Sequence, residues 1–302
     1  MRLRRIPVTS KSLEGAAFKG MRSLARLARQ PEGFTSDEPR CFLVVSRSAR
    51  DPRLTDYASR VHRTLIKSVR MDLKRLRKLT HPFDFIDYLS LCSQSEDAGF
   101  SHSDRQHIEK AVLKQGEAFF WNIFPRKLHA MNCIALINYY HFKQLEFPMR
   151  RTMEEVINAC RRAALEGSRS LSEDEFEQQL YFITHWTYAL SDYGCVPLSQ
   201  RRHASLYRFL CRILPAALEY GNLETLSEVV ACLKIFGHRN RDENLRPALQ
   251  NILRRQNPDG SWGSMYRGTD RHATCVAVLA LYEYRAHTQD NGWGPPAKSS
   301  RL

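Results

Sequence analysis

The sequence predicts an all-α protein folded as an α/α toroid, or a partly open helical-hairpin superhelix, of about five hairpins with a basic N-terminal extension. Three observations predict it. Strand signals are scarce, "RCFLVVS" at 40–46 being the one good candidate. From about residue 54 onward apolar side chains recur at helical spacing. Two kinds of helix then alternate with a nearly constant period, the mark of a stacked repeat.

The first 53 residues read as the extension. "MRLRRIPVTSKSLEGAAFKGMRSLARLARQ" is rich in arginine, has one acid and fits an amphipathic basic helix. The helical domain spans 54–294, and 295–302 is a tail. Amphipathic helices, charged on one face, are expected near 54–79, 103–118, 151–165, 199–219 and 243–255. Helices apolar almost all round are expected at 127–141, 174–191, 223–236 and 270–284. A helix greasy on every side must be enclosed, and an amphipathic one covers it from outside. The apolar helices start at 127, 174, 223 and 270, spacings of 47, 49 and 47 residues. Ser172 with Glu175, and Ser103 with Gln106, have capping-box spacing. All-apolar inner helices favour a closed ring, because an open solenoid would wet one inner face.

Charge is unevenly spread. The net charge is +14, and residues 1–80 hold 20 basic against 7 acidic side chains, leaving 26 and 25 to the remainder. The excess suits an anionic partner for this region, such as an acidic carrier or partner protein, or is simply a solvated basic face. Organelle import is one reading of the arginine-rich start, with the cytoplasm as the expected location. No apolar run reaches the length of a transmembrane segment. Eight scattered cysteines without a C-x-x-C pair read as free, buried thiols. The P-loop, the dinucleotide glycine fingerprint and the G-x-S-x-G elbow are missing, so no nucleotide cofactor is expected. No base-reading module is present, and nucleic acid is not the expected partner.

"QNPDGSWG" places Gln256, Gly260 and Trp262 in the spacing Q-x3-G-x-W ahead of an inner helix, with a looser echo at Gln289, Gly292 and Trp293. The element resembles the QW turn of squalene and oxidosqualene cyclases and the matching turns of protein prenyltransferase β subunits. "DRHATCVAVLAL" resembles the prenyltransferase stretch that supplies a histidine ligand to a catalytic zinc, and the matching position is His272, followed by Thr274 and Cys275. That family's D-x-C ligand pair has its nearest counterpart in Asp192 and Cys195, spaced D-x-x-C. The resemblance covers mainly 174–294 and implies an α/α toroid acting on isoprenoid-like molecules. The protonating D-x-D-D and diphosphate-ionising D-D-x-x-D motifs of such enzymes are absent.

Ionisable residues interrupt the apolar helices. His129 and His272 are each the third residue of an expected inner helix, Glu224 and Glu228 open another, and His185, Tyr188 and Asp192 share a face at i, i+3 and i+7. Burying such groups alone costs several kcal/mol, so they need one another, water, a metal or a substrate. Two arrangements stay open. His129, His185 and His272 make a divalent-metal trio (zinc, iron or copper), with Glu228 or Asp192 as fourth ligand. Alternatively one of these histidines acts as a general base near its normal pKa, oriented by a carboxylate.

The expected function is therefore a cyclase, isomerase, oxygenase or transferase of a biosynthetic pathway, holding an apolar small-molecule substrate in the central cavity with His185, Asp192, Glu228 and His272 as catalytic groups. The alternative is a helical-repeat adaptor that binds a peptide, an acidic protein or nucleic acid without catalysis.

Overall fold

Helix starts fall where capping chemistry puts them. In this computed structural model, which describes residues 8–29, 35–69, 73–100, 104–121, 129–152, 154–159, 172–263 and 271–285, the Ser172 hydroxyl accepts from the Glu175 amide and the Glu175 carboxylate accepts from the Ser172 amide. Asn222 caps a second inner helix by accepting from the amides of Glu224 and Thr225. Ser103 lies outside the described residues, and its expected partner Gln106 sits one residue into a helix that begins at Arg105.

The helices are α1 (Ser10–Leu27), α2 (Asp37–Ser48), α3 (Pro52–Ser68), α4 (Leu73–Leu76), α5 (Ile86–Asp97, entered by a 3-10 turn at Pro82–Phe85), α6 (Arg105–Gln115), α7 (Glu117–Phe120) and α8 (His129–Gln144). After α9, described over 154–159, come α10 (Glu173–Leu190), α11 (Ala204–Tyr220), α12 (Leu223–Ile235), α13 (Arg246–Arg254) and α14 (Arg271–Leu281). The protein is all-helical. Among the described residues the β geometry is one isolated antiparallel bridge, Ala49 to Tyr284, which ties the end of α2 to the end of α14.

Following the contacts gives the architecture. α2 packs on α5, α5 on α8, α8 on α10, α10 on α12, α12 on α14, and α14 returns to α2. That is a closed ring of six inner helices among the described residues. α1, α3, α11 and α13 pack against it from outside. Burial follows this division. In α12 every residue from Thr225 to Ile235 is buried, and so is every residue of α14 from Ala273 to Leu281. α13 buries only Ala248, Leu249 and Ile252.

Three expectations change. The stretch 40–46 is helical, within α2, and not a strand. Cys41, Phe42, Val44 and Val45 are buried on different sides of α2 because it stands in the ring, and an all-apolar run of that length looks the same as a buried strand. The segment before residue 54 is no appendage: α2 closes the ring and α1 packs along α14. With α2 and α5 the inner helices number six among the described residues, where the apolar pattern offered four.

The QW-like turn locks α1 to the ring. The Gln256 amide donates to the carbonyls of Ala16 and Gly260. Trp262 is wholly buried, and its indole N–H donates to the Ile252 carbonyl. Gly260 adopts φ +91 where a Cβ would stand 2.7 Å from the Lys19 carbonyl oxygen, so the turn needs glycine both for its φ and for the approach of α1. Gln289, Gly292 and Trp293 lie outside the described residues. At the C-terminal ends of the inner helices, the buried Lys234 ammonium donates to Asn240 Oδ1 and to the carbonyls of Ala280 and Tyr282. A cation there meets the negative end of α14. Among the described residues no helix is long and apolar enough to cross a membrane.

Candidate functional site

Residues from all six inner helices converge on one part of the ring. A cavity of about 410 Å³ opens there, walled by Phe83, Tyr181, Tyr188 and Tyr193 and by aliphatic residues of α8 and α14. Its polar groups are Asp37 and Arg40 of α2, Asp87 of α5, His185 of α10, Glu224 and Glu228 of α12, and His272 of α14.

His272 stands between two carboxylates. Its Nδ1 is 3.0 Å from Asp37 Oδ2, and its Nε2 is 3.6 Å from Glu228 Oε1. Burial works against charging this imidazole, yet hydrogen bonding and attraction from Asp37 and Glu228 hold its pKa well above the usual histidine value. The carboxylates answer in kind. Burial would raise the Asp37 pKa, but the His272 contact holds it below the ordinary range. Burial would likewise raise Glu228, but nearby His185, the His272 contact and the Thr184 hydroxyl hold it low. Thr184 donates to Glu228 Oε2 at 2.6 Å. The trio is thus an imidazolium with two carboxylates, one negative charge in excess.

His185 lies in the same cavity in the opposite state. Its Nδ1 is 2.9 Å from the Tyr181 carbonyl oxygen, which can only accept, so Nδ1 carries the proton. Nε2 is then a lone pair with no protein partner among the described residues. Burial pushes the His185 pKa down, with Glu228 and the Tyr181 carbonyl opposing. One cavity therefore holds a charged imidazole that can give a proton and a neutral one that can take it.

Arg40 braces the wall. Its guanidinium lies 4.3 Å from the Tyr193 ring centroid, donates to the Ser90 hydroxyl, and meets His141 Nε2 at 3.0 Å, joining α2, α5 and α8. Tyr193 in turn stacks on Tyr188 at 5.4 Å between centroids.

The structure brings His185, Glu228 and His272 together and leaves Asp192 elsewhere. The i, i+3, i+7 pattern assumes that the helix continues, whereas α10 ends at Leu190. Asp192 and Tyr193 then take φ of 50° and 54° in a left-handed turn. Asp192 accepts from the Tyr140 hydroxyl and faces Arg47 in a separate small pocket with Asp97 and Cys195. Burial pushes the Cys195 thiol up to about 12, so it is held as the thiol. The Asp192–Cys195 pair therefore does not share a centre with His272. His129 opens α8, and its side chain lies outside the described residues.

As a metal ligand His272 does not fit as found, since both ring nitrogens already face carboxylates. Among the described residues no group of three His, Cys, Asp or Glu side chains is arranged to hold a metal ion.

Sequence reading missed Asp37, Arg40 and Tyr181 as site residues. "TSDEPR" did carry a signal, because acids followed by proline mark a helix start. Read as extension, that start was never placed against the histidines.

No curated protein and no solved structure matches the chain. One family model does match, over residues 40–282, which takes in α2 from its fourth residue and the other five inner helices whole, and leaves Asp37 outside. The chain belongs to that family, described as a domain of unknown function, DUF6895.

Proposed function

We propose that the protein is an acid–base enzyme that isomerises or cyclises a largely apolar small molecule inside the ring. The supporting observation is the opposed pair of imidazoles in one aromatic-walled cavity: His272, charged between Asp37 and Glu228, and His185, neutral with Nε2 free. In this reading His185 Nε2 removes a proton from one position of the substrate and His272 delivers one to another from Nε2, whose 3.6 Å contact with Glu228 is the longer of its two. Exchange with water then resets both imidazoles. Asp37 and Glu228 hold the imidazolium in place, and the rings of Tyr181, Tyr188 and Tyr193 face any positive charge that develops. The resemblance to toroidal terpene cyclases and prenyltransferases suits such a substrate, although the protonating group here is a histidine and not a D-x-D-D aspartate.

Proton transfer leaves an isotopic record. The purified protein is incubated in D2O with pooled apolar metabolite extracts, and products are read by mass spectrometry. The expected result is a compound that gains deuterium with the wild type and not with His185→Gln or His272→Gln. Exchange that persists in both variants, or none with the wild type, defeats the reading. Tight binding of a macromolecule in its place would favour the adaptor. A metal at this cavity would have to take His185 Nε2 and free His272 from a carboxylate, which elemental analysis with and without His272→Ala would detect.

A further inference from the structure

We propose that the ligand of this cavity is a cation with an apolar body: a protonated amine whose alkyl or ring portion fills the ring while its ammonium rests in the mouth. This rests on the proposed reading of the cavity as a substrate site and names the class of substrate.

The mouth is a second hollow, about 290 Å³, that adjoins the cavity and shares Tyr181, Glu224 and Glu228 with it. It adds Asp174 and Glu177, so four carboxylates line it and, among the described residues, no lysine or arginine does. This is an acidic patch on a chain of net charge +14. Glu177 accepts from Asn222 Nδ2 and the Tyr220 hydroxyl, both neutral donors that orient the carboxylate without cancelling its charge. Deeper in, the carboxylates of Asp37, Asp87, Glu224 and Glu228 face two cations, Arg40 and the His272 imidazolium, so negative charge remains in excess there.

A second observation points to a ligand independently of the acids. His185 is 8% exposed, and its Nε2 is an acceptor without a protein partner at the cavity wall. Two of the large apolar side chains that stay exposed also flank the opening, Phe83 at 56% and Tyr181 at 37%. The site thus presents acceptors, negative charge and aromatic faces together. A carboxylate or phosphate would be repelled by that set, a neutral alkane would gain nothing from its charge, and a protonated amine meets all three.

The test compares four probes of one chain length: octylammonium, octyltrimethylammonium, octanol and octanoate, titrated calorimetrically into the whole protein at pH 7. Octylammonium is expected to bind at least about tenfold more tightly than octanol or octanoate, and octyltrimethylammonium, which has the charge but no N–H, to fall between them, with the preference shrinking as salt rises. Glu177→Gln with Glu224→Gln should remove most of that preference and leave octanol binding unchanged. Should the double variant fail to fold, the exposed Asp174→Asn and the wild-type salt dependence carry the same comparison. Equal or tighter binding of octanol or octanoate, no binding of any probe, or a preference unaffected by the substitutions overturns the proposal. Titration of His185 and His272 by NMR in the same samples reports on the acid–base pair separately, so either idea can fail alone.

Discussion

Asp37 and His272 are 235 positions apart in the chain and 3.0 Å apart in the fold. The contact joins the first inner helix to the last, so the bond that closes the ring at its N-terminal end is also part of the cavity's charged trio. The Arg271–Glu38 ion pair crosses the same seam, and the seam contact adds to Glu228 in charging the imidazole, so the ionisation of His272 reports on ring closure.

The two imidazoles should titrate far apart. His272 is raised by its carboxylates and His185 is lowered by burial. Nitrogen-15 NMR of the imidazoles should show His272 doubly protonated well above pH 6.5, and His185 already neutral at that pH with the proton on Nδ1. Because the folded chain holds the His272 proton more tightly than the unfolded chain, its stabilisation is complete below the unfolded pKa. It is lost as pH rises through the folded value. Asp37 and Glu228 act at the acid end, where stability falls as pH drops through their depressed values. Coincident titrations near 6.5 would contradict the geometry.

Glu228 should matter more than Asp37. Its carboxylate is 2% exposed, against 40% for the Asp37 side chain. Glu228→Gln keeps the shape and an acceptor for Thr184 while removing the buried charge. The His272 pKa should fall by about 1–3 pH units, and stability at pH 7 by about 1–3 kcal/mol. Asp37→Asn should do the same to a lesser degree, since water in the cavity reaches it. Thermal unfolding and the NMR titration read both, and a larger effect at Asp37 would count against the arrangement.

The apolar rods were legible because a residue enclosed on all sides leaves no polar face, as α10, α12 and α14 illustrate. The same rule hid α2. A twelve-residue helix with Phe42, Val44 and Val45 buried on different sides offers too little length for periodicity to separate it from a strand. His185, Glu228 and His272 were visible as polar interruptions of apolar helices. Asp37 was not, since an acid in a helix's first turn is ordinary on its own and gains meaning only when ring closure sets it on His272. Asp192 shows the opposite failure. Its spacing was correct for a helix that stops two residues too early.

The QW-like turn should tolerate no added methyl group. At Gly20 a Cβ would stand 2.7 Å from both Trp262 Cζ3 and Val278 Cγ2. Gly20→Ala should cost about 1–3 kcal/mol through overpacking. Gly260→Ala should cost more, because the clash is with the backbone of Lys19 and φ is +91. Urea unfolding separates the two, and a neutral Gly260→Ala would mean that α1 is not seated on this turn.

Lys234 provides the last prediction, at the other end of the ring. Burial lowers its pKa to about 8, with Glu283 and Glu14 resisting. Lys234→Met removes the donor for Asn240 Oδ1 and for the carbonyls of Ala280 and Tyr282, and should cost about 2–4 kcal/mol at pH 7. The pH dependence has a definite sign. Between about 8 and the ordinary value of 10.5 the unfolded chain binds the proton that the folded chain has released, so the contribution of Lys234 makes stability rise with pH. Chemical unfolding of the methionine variant across that range should therefore lack this rise, its stability climbing less with pH than that of the wild type. An identical slope in both proteins would mean that Lys234 keeps its proton through the whole interval.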